Sequence, residues 1–312
     1  MTALAVALAL DLLFGDPPNR WHPVAWLGAL IAAGRRRFAH GSVTRLLAAG
    51  GFLTIGVALL AALAGALVTR VALHLGAAGI LLEALALSCC LSLRGLWRAA
   101  AEVAACLETG DLPAARTVLA FHLVSRPTAA LGEGEVAAAT IESVAENLTD
   151  SVVAPALMYL AFGLPGAALY RAVNTADAML GYRQGVLEHF GKLAARADDV
   201  LNLIPARLAG LAIVAAAAFT RRSPARAFRI MWRDHARTAS PNAGWTMSAM
   251  AGALGVCLVK RDAYALGDGE LPNARDIRAS LAVMIVAVGV AGATLFIVSW
   301  SLRNSYILAS YP

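Results

Sequence analysis

Three stretches of this chain are too long and too apolar for a water-soluble fold to hold. Leu46 to Val68 runs 23 residues without a charge, Val71 to Leu93 carries only Glu83 and His74, and Ala279 to Leu302 is uncharged throughout. A hydrocarbon core about 30 Å thick takes roughly 20 helical residues to cross. Two further runs are shorter: Ser151 to Tyr170 contains Pro155 and Pro165, and Leu203 to Thr220 opens with Pro205 and Arg207. Both are expected to tilt, break or enter only partway. Met1 to Phe14 is shorter again and contains Asp11; with no basic start and no small-residue cleavage site before Asp16, it reads as a retained helix.

Composition agrees. With 59% hydrophobic and 15% charged residues and a mean hydropathy of +0.67, the 312-residue chain is expected to be an integral membrane protein. No alternating pattern is long enough for a sheet, so the expected fold is all-α and polytopic, with about four to six transmembrane or partly inserted helices. The apolar helices are placed at about 1–14, 46–68, 71–93, 151–170, 203–220 and 279–302. Polar helical segments fill 94–150, 171–202 and 221–278, all in one membrane-embedded domain over 1–312. Cys89, Cys90, Cys106 and Cys257 show no CxxC spacing and read as reduced packing residues.

The net charge of +6 is first a topology signal, because the basic residues lie between the apolar runs; nucleic acid is not implied. Residues 16–45 hold Arg20, Arg35, Arg36, Arg37 and Arg45, whereas the turn between the first two long helices holds only Arg70. Segments 16–45, 94–150 and 221–278 are therefore expected in the cytoplasm. The four basic residues of 171–202 favour the same side, although two full crossings by the short runs would export that segment. Pro224 to Arg237 is an amphipathic helix with Ala225, Phe228, Met231 and Trp232 on one side and Arg226, Arg229, Arg233 and Arg237 opposite. It is suited either to an anionic leaflet or to packing on the protein's own core.

Ionisable groups beside membrane helices are costly, so their clusters are functional candidates. The first is Asp11, Gly15-Asp16-Pro17-Pro18 and His22-Pro23, for which a capped exit turn is the structural alternative. The second contains Glu142, Glu146, Asn147 and Asp150. Its three acids, spaced i, i+4, i+8, lie within about 80° on one helix face, which suits a cation or else a solvated face. In the third, Asn174 and Asp177 share a face ahead of Gly181-Tyr182, where an N-cap box would also serve. The fourth, Asp198-Asp199 followed by Asn202 and Arg207, offers hard oxygen ligands of the kind Mg²⁺ takes beside phosphates, or a structural ion-pair network. The fifth, Ser240-Pro241-Asn242-Ala243-Gly244-Trp245, opens a helix whose free N–H groups suit an anion as well as a cap. Arg126, just before Pro127-Thr128, stands alone. No GxxxxGK[ST], GxGxxG or HExxH is present, and no Ser, His and Asp fall into a nucleophile pattern.

Taken in order, these clusters resemble adenosylcobinamide-phosphate synthase, a family of membrane enzymes of cobalamin biosynthesis. The carrying residues are Asp11, Gly15-Asp16-Pro17 and His22-Pro23; Ile141-Glu142-Ser143-Val144-Ala145-Glu146-Asn147 with Asp150; and Tyr170, Asn174-Thr175, Asp177, Met179 and Gly181-Tyr182. They continue through Phe190-Gly191, Ala195-Arg196, Asp198-Asp199, Asn202 and Ile204-Pro205-Ala206-Arg207 to Ser240-Pro241-Asn242-Ala243-Gly244-Trp245. The likeness covers nearly the whole chain. Pro127 and Ala178 depart from it, standing where the family pattern has Asp and Ser.

The resemblance implies ATP-dependent amide formation between adenosylcobyric acid and an aminoalcohol or its phosphate, of the aminopropanol phosphate type, with Mg²⁺. Glu142, Glu146, Asp198 and Asp199 become the catalytic candidates, and Asp198, Asp199 and Asp150 the metal ligands. Asp16, His22, Arg126, Asn147, Asn174, Asp177, Tyr182, Asn202, Arg207, Ser240 and Asn242 become substrate contacts. The expected setting is the cell (inner) membrane, multi-pass, with the site opening to the cytoplasm. The partners are membrane lipid, the corrinoid, the amine and ATP, with room for a homo-oligomer or association with other membrane enzymes of the pathway. A membrane transporter or binding protein for a small polar or corrinoid ligand is the rival reading.

Overall fold

The structure, a computed structural model, describes the backbone of residues 1–309 and the side chains of residues 1–297 and 301. Caps and prolines set where its helices begin. Helix α1 is Thr2–Phe14; after a 3₁₀ turn at Asn19–Trp21, α2 (Pro23–Phe38) starts with Pro23, and the His22 ring accepts from the Val24 N–H. Ser42 caps α3 (Val43–Leu73), an apolar helix of 31 residues. Then follow α4 (Ala77–Ser88), α5 (Leu93–Glu108), α6 (Leu112–His122, capped by Asp111) and α7 (Glu133–Leu148).

A π-helical turn at Thr149–Val153 joins α7 to α8 (Ala154–Leu180). Short α9 (Leu187–Phe190), α10 (Lys192–Leu201), α11 (Leu203–Phe219), α12 (Pro224–Asp234, capped by Ser223) and α13 (Ala243–Leu254) precede a small antiparallel hairpin of β1 (Leu258–Lys260) and β2 (Tyr264–Leu266). The last helix is α14 (Ala274–Ala309).

The protein is an all-α polytopic membrane protein. Val43–Leu73, Ala77–Glu108, Glu133–Leu180 and Ala274–Ile297 are each long and apolar enough to cross a bilayer. Three details differ from the sequence-based expectation. The run 71–93 is not one helix: the chain turns after Leu73, and α4 ends at Ser88, four residues before α5 begins after Ser92. The acid-rich stretch before 151 is not a segment apart from the apolar run, since helix continues from Glu133 to Leu180. The hairpin is the third difference; with three residues per strand it is below the length at which alternation can be read.

Proline placement explains the irregularities between 149 and 165. Pro155 has no N–H to give the Ser151 carbonyl, which accepts from the Ser92 N–H instead at 3.2 Å. Helix α8 kinks as expected, at Gly163, whose φ of +67° only glycine holds readily, two residues before Pro165.

The chain divides into two units, each assembled from two stretches of sequence: Met1–Arg94 with Asp150–Asn202, and Gly95–Thr149 with Leu203 onward. In the first, α3 packs on α2 and α8 around Ile31, Leu46, Val57, Ala176, Leu180 and Phe190. Gly50 lets α3 approach so closely that a Cβ there would stand 1.7 Å from the Phe190 carbonyl oxygen. In the second, α13 is buried from Thr246 to Leu254 against α7, α11 and α12.

Helix α12 runs back along α11 and α13. A Cβ on Gly210, midway along α11, would meet Met231 Sδ near the end of α12 at 3.1 Å, and one on Gly252, near the end of α13, would meet Ala227 Cα at 2.8 Å. The α12 face turned inward is Ala227, Ile230, Met231 and Asp234. Packing on the protein's own core therefore claims α12, but on a face rotated from the one the hydrophobic pattern suggested, and Phe228 and Trp232 remain exposed.

Candidate functional site

In the first unit one amide holds two carboxylates. Asn202, buried after α10, donates from Nδ2 to Asp150 Oδ1 at 3.2 Å and to Asp198 Oδ2 at 3.0 Å, and its Oδ1 accepts from the Tyr170 hydroxyl at 2.9 Å. Asn174 Nδ2 donates to Asp198 Oδ1 at 3.2 Å, and Arg171 Nη1 reaches Asn174 Oδ1 at 3.4 Å. Helical spacing builds this cluster: Tyr170, Arg171 and Asn174 lie on one turn of α8, while Asp198 precedes Asn202 by four residues. Arg171 Nε, also buried, finds no acceptor among the described residues.

Asp199 leaves this cluster because adjacent helical residues point about 100° apart. It stands 3.8 Å from Arg196 and lines a separate cavity of about 150 Å³ with Tyr182, Arg183 and Lys192. Asp177 lies against Gly181, where a Cβ would fall 2.0 Å from Asp177 Oδ1.

Nearer the N-terminus, Asp16 Oδ1 faces His22 Nε2 at 3.3 Å, and its Oδ2 accepts from the Ser92 hydroxyl at 2.9 Å. The Val24 N–H donating to His22 Nδ1 puts the ring proton on Nε2, toward Asp16. Burial alone would raise the Asp16 pKa, but the hydrogen bonds from His22 and Ser92 hold it below the ordinary carboxylate value. Asp11 stands apart as a helix cap, accepting from the Leu93 and Arg94 N–H groups.

The second unit carries two further groups. Arg126 Nη2 lies 3.6 Å from Glu142 Oε2, and the Tyr264 hydroxyl beyond them has its pKa raised by burial and by the Glu142 and Glu146 carboxylates. Glu142 is buried, Glu146 is exposed, and Asn147 turns its amide back to the Ser143 carbonyl at 2.9 Å.

Where α11 and α13 begin, Arg207 Nη1 donates to Asn242 Oδ1 and to the Leu203 carbonyl, both at 2.8 Å, with its guanidinium 4.8 Å over the Trp245 ring. Ser240 Oγ takes the capping role, accepting from the Asn242 and Ala243 N–H groups at 3.2 and 3.4 Å.

Comparison with known proteins bears on this arrangement. The sequence profile of the CobD/Cbib protein family matches residues 4–288. The chain belongs to the CobD/Cbib family. It is 44% identical over 268 residues to the cobalamin biosynthesis protein CobD of Dehalococcoides mccartyi, covering 86% of each chain. It is 39% identical over 303 residues to a probable cobalamin biosynthesis protein CobD of Methanothermobacter thermautotrophicus, covering 95% of this chain and 99% of that one. With the CobD protein of Klebsiella pneumoniae it shares 39% identity over 263 residues. No solved structure matches.

For a CobD/Cbib chain, the first-unit cluster brings together Asp150, Asn174, Asp198 and Asn202 of the expected site residues, and elsewhere in that unit Asp16 meets His22. Arg207 and Asn242 meet in the second unit, as do Arg126 and Glu142. Glu142 and Glu146 belong to one unit and Asp198 and Asp199 to the other. Among the described residues no three His, Cys, Asp or Glu side chains are grouped as a metal set. Sequence reasoning passed over Arg171, Ser92 and the role of Tyr170. An arginine and a tyrosine one helical turn before Asn174, inside an apolar helix, are the signal that was available.

Proposed function

We propose that this CobD/Cbib protein is an adenosylcobinamide-phosphate synthase, an enzyme of cobalamin biosynthesis that joins a carboxyl of adenosylcobyric acid to the amine of an aminoalcohol or its phosphate. The observation that carries the reading is family membership across residues 4–288, with relatives named for cobalamin biosynthesis. The polar clusters on otherwise apolar helices support it.

The chemistry sets requirements this chain can meet. A carboxylate resists attack by an amine until one of its oxygens becomes part of a leaving group. If a corrinoid carboxylate oxygen takes the γ-phosphoryl group of ATP, ADP leaves; when the amine nitrogen then attacks the carbonyl carbon, phosphate leaves and an amine proton passes to a base. Negative oxygens are matched by Arg207, held in place by Asn242 and the Leu203 carbonyl. Glu142 and Glu146 are the proton acceptors on offer in the second unit.

Asp150 and Asp198, bridged by Asn202, fit Mg²⁺, which is held by one or two carboxylates when substrate phosphates complete its shell. Bound there it would neutralise phosphate charge. Asn202 orients both carboxylates and Tyr170 fixes Asn202, so the donor oxygens are set before any ligand arrives.

The reading places the protein in the cell membrane, with its polar clusters open to the cytoplasm where ATP and the corrinoid are found. It is tested with the purified protein in detergent: amide product and ADP should form together, each requiring both the corrinoid acid and the amine as well as Mg²⁺. Uptake of a corrinoid into proteoliposomes with no ADP formed would support a transporter instead.

A further inference from the structure

Beside Arg207 the second unit carries a row of aromatic rings. Phe228 and Trp232, one turn apart on α12, are stacked with centroids 6.2 Å apart and planes 18° from parallel. Trp232 meets Trp245 edge to face at 6.1 Å, and His235 lies over Trp245 at 4.0 Å. Trp245 is in turn the ring on which the Arg207 guanidinium sits.

Phe228 is 46% and Trp232 63% exposed, so the outer half of the row is open, while His235 and Trp245 are half-buried. Among the described residues the acceptors given to Arg207 are neutral: the Asn242 side chain and the Leu203 and Pro241 carbonyls. A guanidinium fixed by neutral groups complements an anion, and an open aromatic pair complements a flat π-ring. A ligand with both parts is a nucleotide.

We infer that Trp232 and Phe228 form a stacking platform for the adenine of ATP, whose phosphates reach Arg207. This rests on the proposed ATP-dependent reaction and adds the place where the nucleotide is held. It also accounts for a nucleotide being held without a P-loop, because stacking supplies the base affinity that such proteins draw from elsewhere. A lipid interface would equally expose Phe228 and Trp232, but it gives no reason for the row to end on an arginine whose acceptors among the described residues are neutral.

The test uses the full chain in detergent and measures equilibrium binding of ATP, adenosine and inorganic triphosphate by calorimetry. Trp232→Ala should weaken ATP and adenosine about tenfold or more while leaving triphosphate unchanged, and Trp232→Phe should stay within about threefold of the parent. Arg207→Gln should lose triphosphate and keep adenosine. Phe228→Ala, which opens the outer half of the stack and leaves Trp245 covered, carries the same expectation as Trp232→Ala.

The inference is overturned if both alanine variants bind ATP as the parent does. It is also overturned if Trp232 fluorescence in proteoliposomes is quenched by brominated lipid and indifferent to ATP. A parent protein that makes ADP normally, with both alanine variants unchanged in KM for ATP, would remove this platform and leave the proposed reaction standing. A parent that forms the amide without ADP would remove both.

Discussion

Asp11 and Arg94 each cap the other's helix. The Asp11 carboxylate, buried near the end of α1, accepts from the Leu93 N–H at 2.9 Å and the Arg94 N–H at 3.1 Å, where α5 begins. The Arg94 guanidinium donates to the Leu12 and Leu13 carbonyls, where α1 runs out of partners. Helix termini leave N–H and C=O groups without intrahelical acceptors or donors, and here two side chains far apart in sequence satisfy both ends. Asp11→Ala should therefore destabilise by about 0.5–2 kcal/mol, with Asp11→Asn milder because an oxygen acceptor remains. Thermal unfolding in detergent measures this. Pairing Asp11→Ala with Arg94→Ala should cost less than the sum of the two, whereas strict additivity would mean the two caps are independent.

The two adjacent acids should behave differently. Asp198 shares the Asn202 amide with Asp150, while Asp199 faces Arg196 and a separate cavity. Asp198→Asn should lower amide formation more than about 100-fold and raise the Mg²⁺ concentration needed for half activity, and Asn202→Ala should lie between about 10- and 100-fold as the orienting group is lost. Asp199→Asn should stay within about threefold. Equal losses at 198 and 199 would return both to one site.

Much of this was legible in the sequence. Uncharged runs longer than a bilayer crossing mark candidate spans, and Pro165 announced the break that falls at Gly163. The clusters were legible as residues but not as groupings. Nothing in spacing alone says that Asp150 meets a residue 52 positions later, because that contact is made by tertiary packing of α8 and α10. For α12 the pattern gave only part of the answer: it grouped Phe228 and Trp232 with Met231 on one side, for a leaflet or for the core, and the packed face is Ala227, Ile230, Met231 and Asp234. A buried aspartate inverted the expectation, since Asp234, paired with Arg233 at 2.7 Å and Arg237 at 3.1 Å, takes an inward place that hydrophobicity assigns to an apolar residue.

Asp16 sets an acid limit on stability. Its folded pKa lies below the unfolded value of about 3.9, so its contribution is present above that value and is lost as pH falls through the folded pKa. Ser92→Ala removes the hydrogen bond to Oδ2 and raises the folded pKa, so acid unfolding of the variant should begin at a higher pH than that of the parent. An unchanged acid limb in detergent would show that the His22 contact alone sets it.

Arg207→Lys tests whether the fork or only the charge matters. The guanidinium reaches Asn242 and the Leu203 carbonyl while lying on the Trp245 ring, a geometry that an ammonium cannot copy. A charged hydrogen bond is worth about 1.5–3 kcal/mol, so turnover with ATP should fall roughly ten- to 100-fold. Normal turnover with unchanged apparent affinities for ATP and the amine phosphate would take Arg207 out of the site.

The path of the chain between 171 and 220 follows from what lies along α11. Two full crossings, at 151–170 and 203–220, would place residues 171–202 outside the cell. Helix α12, which carries Arg226, Arg229 and Arg233, packs antiparallel along α11, and the Arg226 guanidinium donates to the Gly252 and Ala253 carbonyls at the end of α13. Placing those arginines at the depth of the hydrocarbon core would cost several kcal/mol each, so α11 is not free to cross alone with lipid on every side. The expected outcome is that α11 is partly inserted and that its neighbours stay on the cytoplasmic side, with irregular and polar backbone lining a wet cavity. Single cysteines at Gln184 and Arg229, both exposed, in a variant lacking Cys89, Cys90, Cys106 and Cys257, read this out. An impermeant maleimide should label neither in intact cells and both in inverted vesicles. Labelling of Gln184→Cys from outside, with activity kept, would show that residues 171–202 are exported and that α11 crosses in full.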